Sequence, residues 1–291
     1  LNIHVKEVTK EFGAKKALDQ LSVTFEEDKI YGLLGRNGAG KTTLMQMLAG
    51  HALPTDGSIE FNGQKPFNNR EVLKQICLVN ESGNFKKKFK IKDVLKIASL
   101  FYPNWSQDKA DHLLAEFGLD ANLKTKGLSK GMESTVGIII GLASRSKITI
   151  FDEPYIGLDA SARYKFYDLL LEEYETYPRT IILSTHLIDE VSNLFEEVVI
   201  LQNGKLLLQK ETDELLELSI QVSGNTDVVD RFTSGKNVIH EAEIIGMKTV
   251  LLFGEKVSSE EAMHLGLKVE RCNVQQLMVY LTEEKGGKIH A

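Results

Sequence analysis

Cysteine is nearly absent: Cys77 and Cys272 are the only two in 291 residues. Two isolated thiols exclude a disulfide framework and a cysteine metal cluster. They fit small buried apolar residues in a reducing compartment. Long apolar runs are missing too. The longest stretches, around Ile138-Ile139-Ile140 and Ile148–Phe151, fall far short of the roughly 18–20 residues that cross a bilayer, so any crossing belongs to other subunits. No signal-peptide pattern opens the sequence, which starts at Leu1, and there is no internal repeat or low-complexity tract. A basic excess is also lacking. Residues 1–210 balance at 27 basic against 27 acidic side chains, while residues 211–291 hold 8 against 14 and account for the net −6. An acidic tail excludes a nucleic-acid grip there.

What is present is an ordinary globular composition, 42% hydrophobic and 26% charged, long enough for one large domain and a smaller one. Strands are expected at Leu21–Glu27, Ile30–Leu34, Gly57–Gly63, Ile76–Val79, Ile148–Phe151 and Thr180–Ser184. Helices are expected at Lys41–Ala49, Lys92–Tyr102, Asp108–Phe117, Glu133–Ala143 and Ser161–Tyr174. Val198–Leu201 and Lys205–Leu208 flank Asn203-Gly204, a preferred hairpin turn. Alternation of this kind predicts an α/β fold with a mostly parallel sheet and antiparallel pieces at its start and end. After about residue 210 the pattern becomes a small α+β unit. Short strands at Ser219–Val222, Val238–Ala242, Thr249–Phe253 and Leu267–Arg271 accompany helices at Ser259–His264 and Val274–Leu281.

The chemistry concentrates in three places. Gly35-Arg36-Asn37-Gly38-Ala39-Gly40-Lys41-Thr42 follows an apolar strand and opens a helix, the context a phosphate-binding loop requires. Its glycines let backbone N–H groups point at phosphates, aided by the positive end of the helix dipole. Lys41 is placed to reach the β and γ phosphates of a nucleotide, and Thr42 to hold Mg²⁺. The strand Ile148–Phe151 delivers Asp152 to the Mg²⁺ shell and Glu153 as general base for the attacking water. His186, just past Thr180–Ser184, stands where ligand-contacting groups collect, able to donate to the γ-phosphate and to orient Glu153.

With these motifs in this order, residues 1–210 resemble the nucleotide-binding subunit of an ABC transporter, an ATPase. The resemblance implies a P-loop cassette with a RecA-like core, an antiparallel β subdomain and a helical subdomain over about 82–145, followed by an α+β accessory domain at 211–291. It places the adenine platform on Phe12, within the piece that runs through Ala17, and the nucleotide loop on Asn37, Gly38, Ala39, Gly40, Lys41, Thr42 and Thr43. It places the family signature on Leu128-Ser129-Lys130-Gly131-Met132, 23 positions before Asp152 when counted from Ser129. There Ser129 and Gly131 would meet the γ-phosphate held by a second ATPase subunit, a copy of this chain or a sister. Asp159 of Gly157-Leu158-Asp159 would cross the dimer interface, and His186 is the family's histidine.

Several positions depart from the family pattern. Glu81 stands where a glutamine is usual, with Asn80 as the other occupant of that place. A carboxylate there can still ligate Mg²⁺ or orient water. Lys130 and Met132 replace the usual glycine and glutamine, as in the branch similar to ABC-2-type exporters. Glu133-Ser134-Thr135 occupies places where that branch has basic or amide side chains. Six lysines between Lys86 and Lys96 face one acid, Asp93. They read either as a solvated face or as attraction to anionic lipid or a membrane partner's acidic loops. Pro103-Asn104-Trp105 resembles a subset of peptide-exporting ATPases that includes the phenol-soluble-modulin exporters, and Trp105 is expected to pack within the helical subdomain.

The resemblance implies a peripheral protein on the cytoplasmic face of a bacterial-type membrane. It would bind a transmembrane permease and drive export of amphipathic peptides or hydrophobic compounds. A non-transport ABC ATPase acting on nucleic acid or ribosomes is the alternative, but such relatives carry paired cassettes, coiled-coil arms or zinc cysteines, which this sequence lacks. A GTPase or kinase built on the same loop is a third reading, but the sequence has no Asn-Lys-x-Asp guanine reader, and the signature and His186 would go unexplained.

Overall fold

The computed structural model describes residues 1–254 and 259–283. The chain divides into two compact units, Leu1–Gln209 and Lys210–Ala291. The first opens with β1 (Ile3–Phe12), β2 (Lys15–Phe25), β3 (Ile30–Leu34), α1 (Lys41–Leu48), β4 (Asp56–Phe61), α2 (Arg70–Leu73) and β5 (Ile76–Val79). Next come α3 (Ile91–Ser99), α4 (Gln107–Glu116), α5 (Lys130–Ala143) and β6 (Ile148–Asp152). It closes with α6 (Ala160–Thr176), β7 (Thr180–Ser184), α7 (Ile188–Val191), β8 (Glu197–Gln202) and β9 (Lys205–Glu211).

The main sheet runs β5-β6-β7-β3-β8-β9. Strands β5 through β8 are mutually parallel, so the carboxyl ends of β3, β6 and β7 emerge along one edge. Strands β3, β6 and β7 are buried at every position, which explains their continuous apolar sequences. Gly32 interrupts β3 for a steric reason: a Cβ there would sit 2.5 Å from the Phe195 ring. The hairpin from β8 to β9 turns at Asn203 and Gly204, with φ of 50° and 78°, the left-handed pair such a turn demands.

A second sheet, β2-β1-β4, is antiparallel and packs over the core built by Leu44, Met45 and Leu48 of α1. Sequence periodicity does not reveal β1. Its buried residues run Ile3, Val5, then Val8, and a bulge at this point changes the facing phase. Helices α3, α4 and α5 fall in the 82–145 region. Helix α5 starts at Lys130, three residues earlier than expected from Glu133, because Ser129 caps it: its Oγ accepts from Met132 N at 3.2 Å. Trp105 is half-buried, and its Nε1 donates to Gln107 Oε1 at 3.2 Å.

The second unit contains α8 (Thr212–Glu217), β10 (Ser219–Asn225), α9 (Thr226–Thr233), β11 (Val238–Ile244), β12 (Met247–Phe253), α10 (Ser259–His264), β13 (Lys268–Arg271) and α11 (Val274–Thr282). Its sheet, ordered β11-β12-β10-β13, is antiparallel throughout. From β10 to β13 the elements follow a strand-helix-strand-strand-helix-strand order, the split βαβ arrangement. Val222, Val229, Phe232, Val250, Leu252, Ala262 and Leu267 form its core. Helix α9 is absent from the sequence expectation because its β-branched content masks it. Asn225 fixes its start by accepting from Asp227 N at 3.0 Å.

Among the described residues no helix is long and apolar enough to cross a membrane. Both cysteines are buried and free, and burial pushes the Cys272 thiol up to about 11.

Candidate nucleotide site

The loop between β3 and α1 is held open by its glycines. Gly35, Gly38 and Gly40 have φ of 145°, 83° and 107°. A Cβ at Gly40 would lie 2.7 Å from the Ala17 carbonyl oxygen, so β2 backs the loop directly. Ala39 accepts from Gly204 N at 3.1 Å, which ties the loop to the β8–β9 turn as well. Lys41 bends back over the loop and donates to the Gly35 carbonyl at 2.7 Å. Burial pushes its ammonium below the ordinary lysine range, and the nearby Glu153 and Asp152 charges work against that shift.

Asp152 ends β6 almost wholly buried, and its Oδ1 accepts from Ser184 Oγ at 2.6 Å. The same hydroxyl accepts from Glu153 N at 3.1 Å. Ser184, the last residue of β7, therefore fixes both members of the acidic pair. Glu153 takes a left-handed φ of 50°, an unusual conformation for a non-glycine residue. Its Oε2 lies 2.7 Å from His186 Nδ1 and also accepts from the Tyr155 hydroxyl. The phosphate loop, the acidic pair and the histidine thus meet at one edge of the parallel sheet.

Phe12 ends β1 and is 57% exposed, with the Lys10 ammonium 5.0 Å from its ring centroid. A ring left in solvent beside the β2 strand that backs the phosphate loop is not a core residue. Thr42 is exposed and Thr43 half-buried at the start of α1.

Ser129, Gly131 and Asp159 gather at a different place. A Cβ on Gly131 would run into the Gly157 carbonyl, so the first turn of α5 packs backbone to backbone on the loop before α6. Ser134 Oγ donates to Ile156 O at 2.6 Å and reinforces that contact. Asp159 caps α6 by accepting from Ala162 N at 2.8 Å. The other two departures at 133–135 have partners of their own. Glu133 pairs with Lys87 at 2.6 Å, and Thr135 Oγ1 returns to Gly131 O at 2.9 Å. Glu81 is exposed and meets Lys130, while Asn80 is engaged by Gln46 Nε2 at 2.6 Å and by the Asn84 side chain. Of the two occupants weighed for that position, Glu81 keeps the solvent-facing side chain.

A model of the ABC transporter family matches residues 18–156. The bacitracin transport ATP-binding protein BcrA of Bacillus licheniformis is 33% identical over 216 residues, covering 73% of this chain and 71% of BcrA. The chain belongs to the ABC transporter ATP-binding family. The lantibiotic transport ATP-binding protein SrtF of Streptococcus pyogenes is 30% identical over 213 residues, 72% of this chain and 91% of SrtF. A solved ATP-binding subunit of an ABC transporter superposes with a TM-score of 0.67 at 25% identity, covering 74% of this chain and 92% of that one. A dimeric ABC cassette solved after hydrolysis, with ADP and Pi bound, shares the fold at a TM-score of 0.64 and 23% identity. This ABC chain is therefore an ATP-binding, ATP-hydrolysing transporter subunit, and the reading as a non-transport ATPase is set aside.

Three side chains of the cassette's site escaped sequence reading: Ser184, Thr185 and Tyr155. The available signal is slight, two hydroxyls just after the apolar run Ile181-Ile182-Leu183 and a tyrosine two residues after the general-base candidate.

Proposed function

We propose that this ATPase powers a membrane exporter of amphipathic peptides or hydrophobic compounds, acting from the cytoplasmic face of the membrane through a transmembrane permease. BcrA and SrtF, named for bacitracin and lantibiotic transport, support the peptide reading. The exposed lysines on and before α3 suit an anionic membrane surface or an acidic permease loop.

The geometry supports the following roles. Asn37 through Thr43 cradle the phosphates with backbone N–H groups, and Lys41 swings from Gly35 O to the β and γ phosphates. Phe12 stacks on adenine beside Ala17. Thr42, Asp152 and Glu81 are hard oxygen donors of the kind Mg²⁺ prefers. Hard oxygen ligands of this kind, completed by phosphate oxygens, are the usual way Mg²⁺ is held with a nucleotide. When bound, Mg²⁺ would neutralise charge on the transferring phosphoryl group. Glu153 takes the proton of the attacking water, and His186 orients Glu153 and donates to the γ-phosphate. Ser129, Gly131 and Asp159 serve the nucleotide of a second ATPase subunit, so two subunits sandwich two ATP molecules.

The observation that carries the catalytic part is the 2.7 Å approach of Glu153 Oε2 to His186 Nδ1 beside the phosphate loop. Glu153→Gln tests it. The variant should keep ATP binding, lose nearly all turnover, and run as a dimer with ATP on size-exclusion chromatography. Normal turnover sinks the general-base role. A variant that binds ATP without turning over yet stays monomeric replaces the homodimer with a sister ATPase.

A further inference from the structure

We propose that Tyr155 is a positioning residue for ATP hydrolysis, its buried hydroxyl fixing the Glu153 carboxylate and joining it to the His186 loop. The inference rests on the reading of Glu153 as general base. Tyr155 is 2% exposed, between the chain ends that leave β6 and β7. Its single hydroxyl proton goes to Glu153 Oε2. The phenolic oxygen then accepts from His186 N at 3.0 Å and lies 2.8 Å from Thr185 Oγ1. Thr185 Oγ1 itself accepts from Leu187 N at 2.8 Å, so the contact is braced by the next turn of chain. The Tyr155 and His186 rings meet edge to face, with centroids 5.6 Å apart.

A glutamate side chain has three rotatable torsions and gains precision only from its partners. Here both partners of Glu153, the phenol and His186 Nδ1, fall on the same oxygen, Oε2. Oε1 is then the atom left to accept a proton from water. A tyrosine present only to fill space would need any one acceptor for its hydroxyl. This hydroxyl instead takes the base itself and the backbone of the histidine that faces the base. Phenylalanine would fill the same volume without doing either.

The test is Tyr155→Phe in the full chain, measured for ATP turnover, ATP affinity and thermal midpoint. Losing one hydrogen bond to a charged group predicts a kcat loss of roughly tenfold or more, with KM for ATP and the midpoint nearly unchanged. In a Glu153→Gln background, single-turnover hydrolysis should fall no further when Tyr155→Phe is added, because the phenol acts through the carboxylate. An unchanged kcat overturns the proposal, as does an equal loss in both backgrounds. If the phenylalanine variant folds poorly, Thr185→Val loosens the same phenol. A kcat loss at constant KM then supports the role, and an unchanged kcat overturns it. Full turnover by Glu153→Gln alone would instead remove the general-base reading beneath it.

Discussion

The Lys130 ammonium lies 3.0 Å from the Glu81 carbonyl oxygen and 3.6 Å from Glu81 Oε1, tying the loop after β5 to the first turn of α5. Both side chains are partly exposed, so the pair contributes no more than about 1 kcal/mol. If Glu81 ligates Mg²⁺ as proposed, that is still enough to compete with the metal. Lys130→Ala should lower the Mg²⁺ concentration for half-maximal turnover by roughly two- to fivefold. A Mg²⁺ titration at fixed ATP checks this, and an unchanged midpoint would separate Glu81 from the metal.

Gly131 touches Gly157 closely enough that any side chain is excluded. Gly131→Ala forces these two backbones apart at a cost of about 1–3 kcal/mol. Turnover should fall about tenfold or more, because a small misplacement of a site element is enough for a loss of that order, while fluorescent-nucleotide binding by the phosphate loop stays near its original affinity.

Phe12 is largely exposed, with the Lys10 ammonium 5.0 Å from its ring centroid. Phe12→Ala should weaken ATP binding by about 1–3 kcal/mol if the ring stacks on the base. Folding stability should stay within about 0.5 kcal/mol. Nucleotide titration and thermal denaturation, run together, give the opposite pattern for a core phenylalanine.

Glu173 is a buried carboxylate with three cations around it: Arg145 Nε at 2.8 Å, Lys109 Nζ at 3.3 Å and Arg179 NH1 at 3.8 Å. Arg179 is itself 1% exposed. Removing the acid strands a buried guanidinium, so Glu173→Ala should cost about 3–5 kcal/mol in urea denaturation. The network joins α4, α6 and the segments before β6 and β7, away from the nucleotide site.

The phosphate loop, Asp152-Glu153 and His186 are legible in the sequence because each is a local string whose neighbours state its context. Strand, glycine turn and helix follow one another without a gap at Gly35–Thr42. Tyr155, Ser184 and Thr185 are not legible, since their meaning depends on β6 and β7 lying side by side with Asp152 opposite Ser184. Strand β1 hides for another reason: its bulge breaks the alternation that marks a half-buried strand. At α5 the apolar pattern marks where the helix is buried, while its true start is set by the polar cap at Ser129.

The backbone contact between Gly131 and Gly157 makes the start of α5 and the loop before Asp159 one mechanical part. If that part serves the neighbour's nucleotide, a lesion in it is inherited by the other chain's chamber. A mixed pair with Lys41→Ala in one chain and Ser129→Ala in the other would then gather both faults into a single chamber and leave its twin whole. Placing both substitutions in one chain, opposite an unaltered partner, would spread the damage over both chambers.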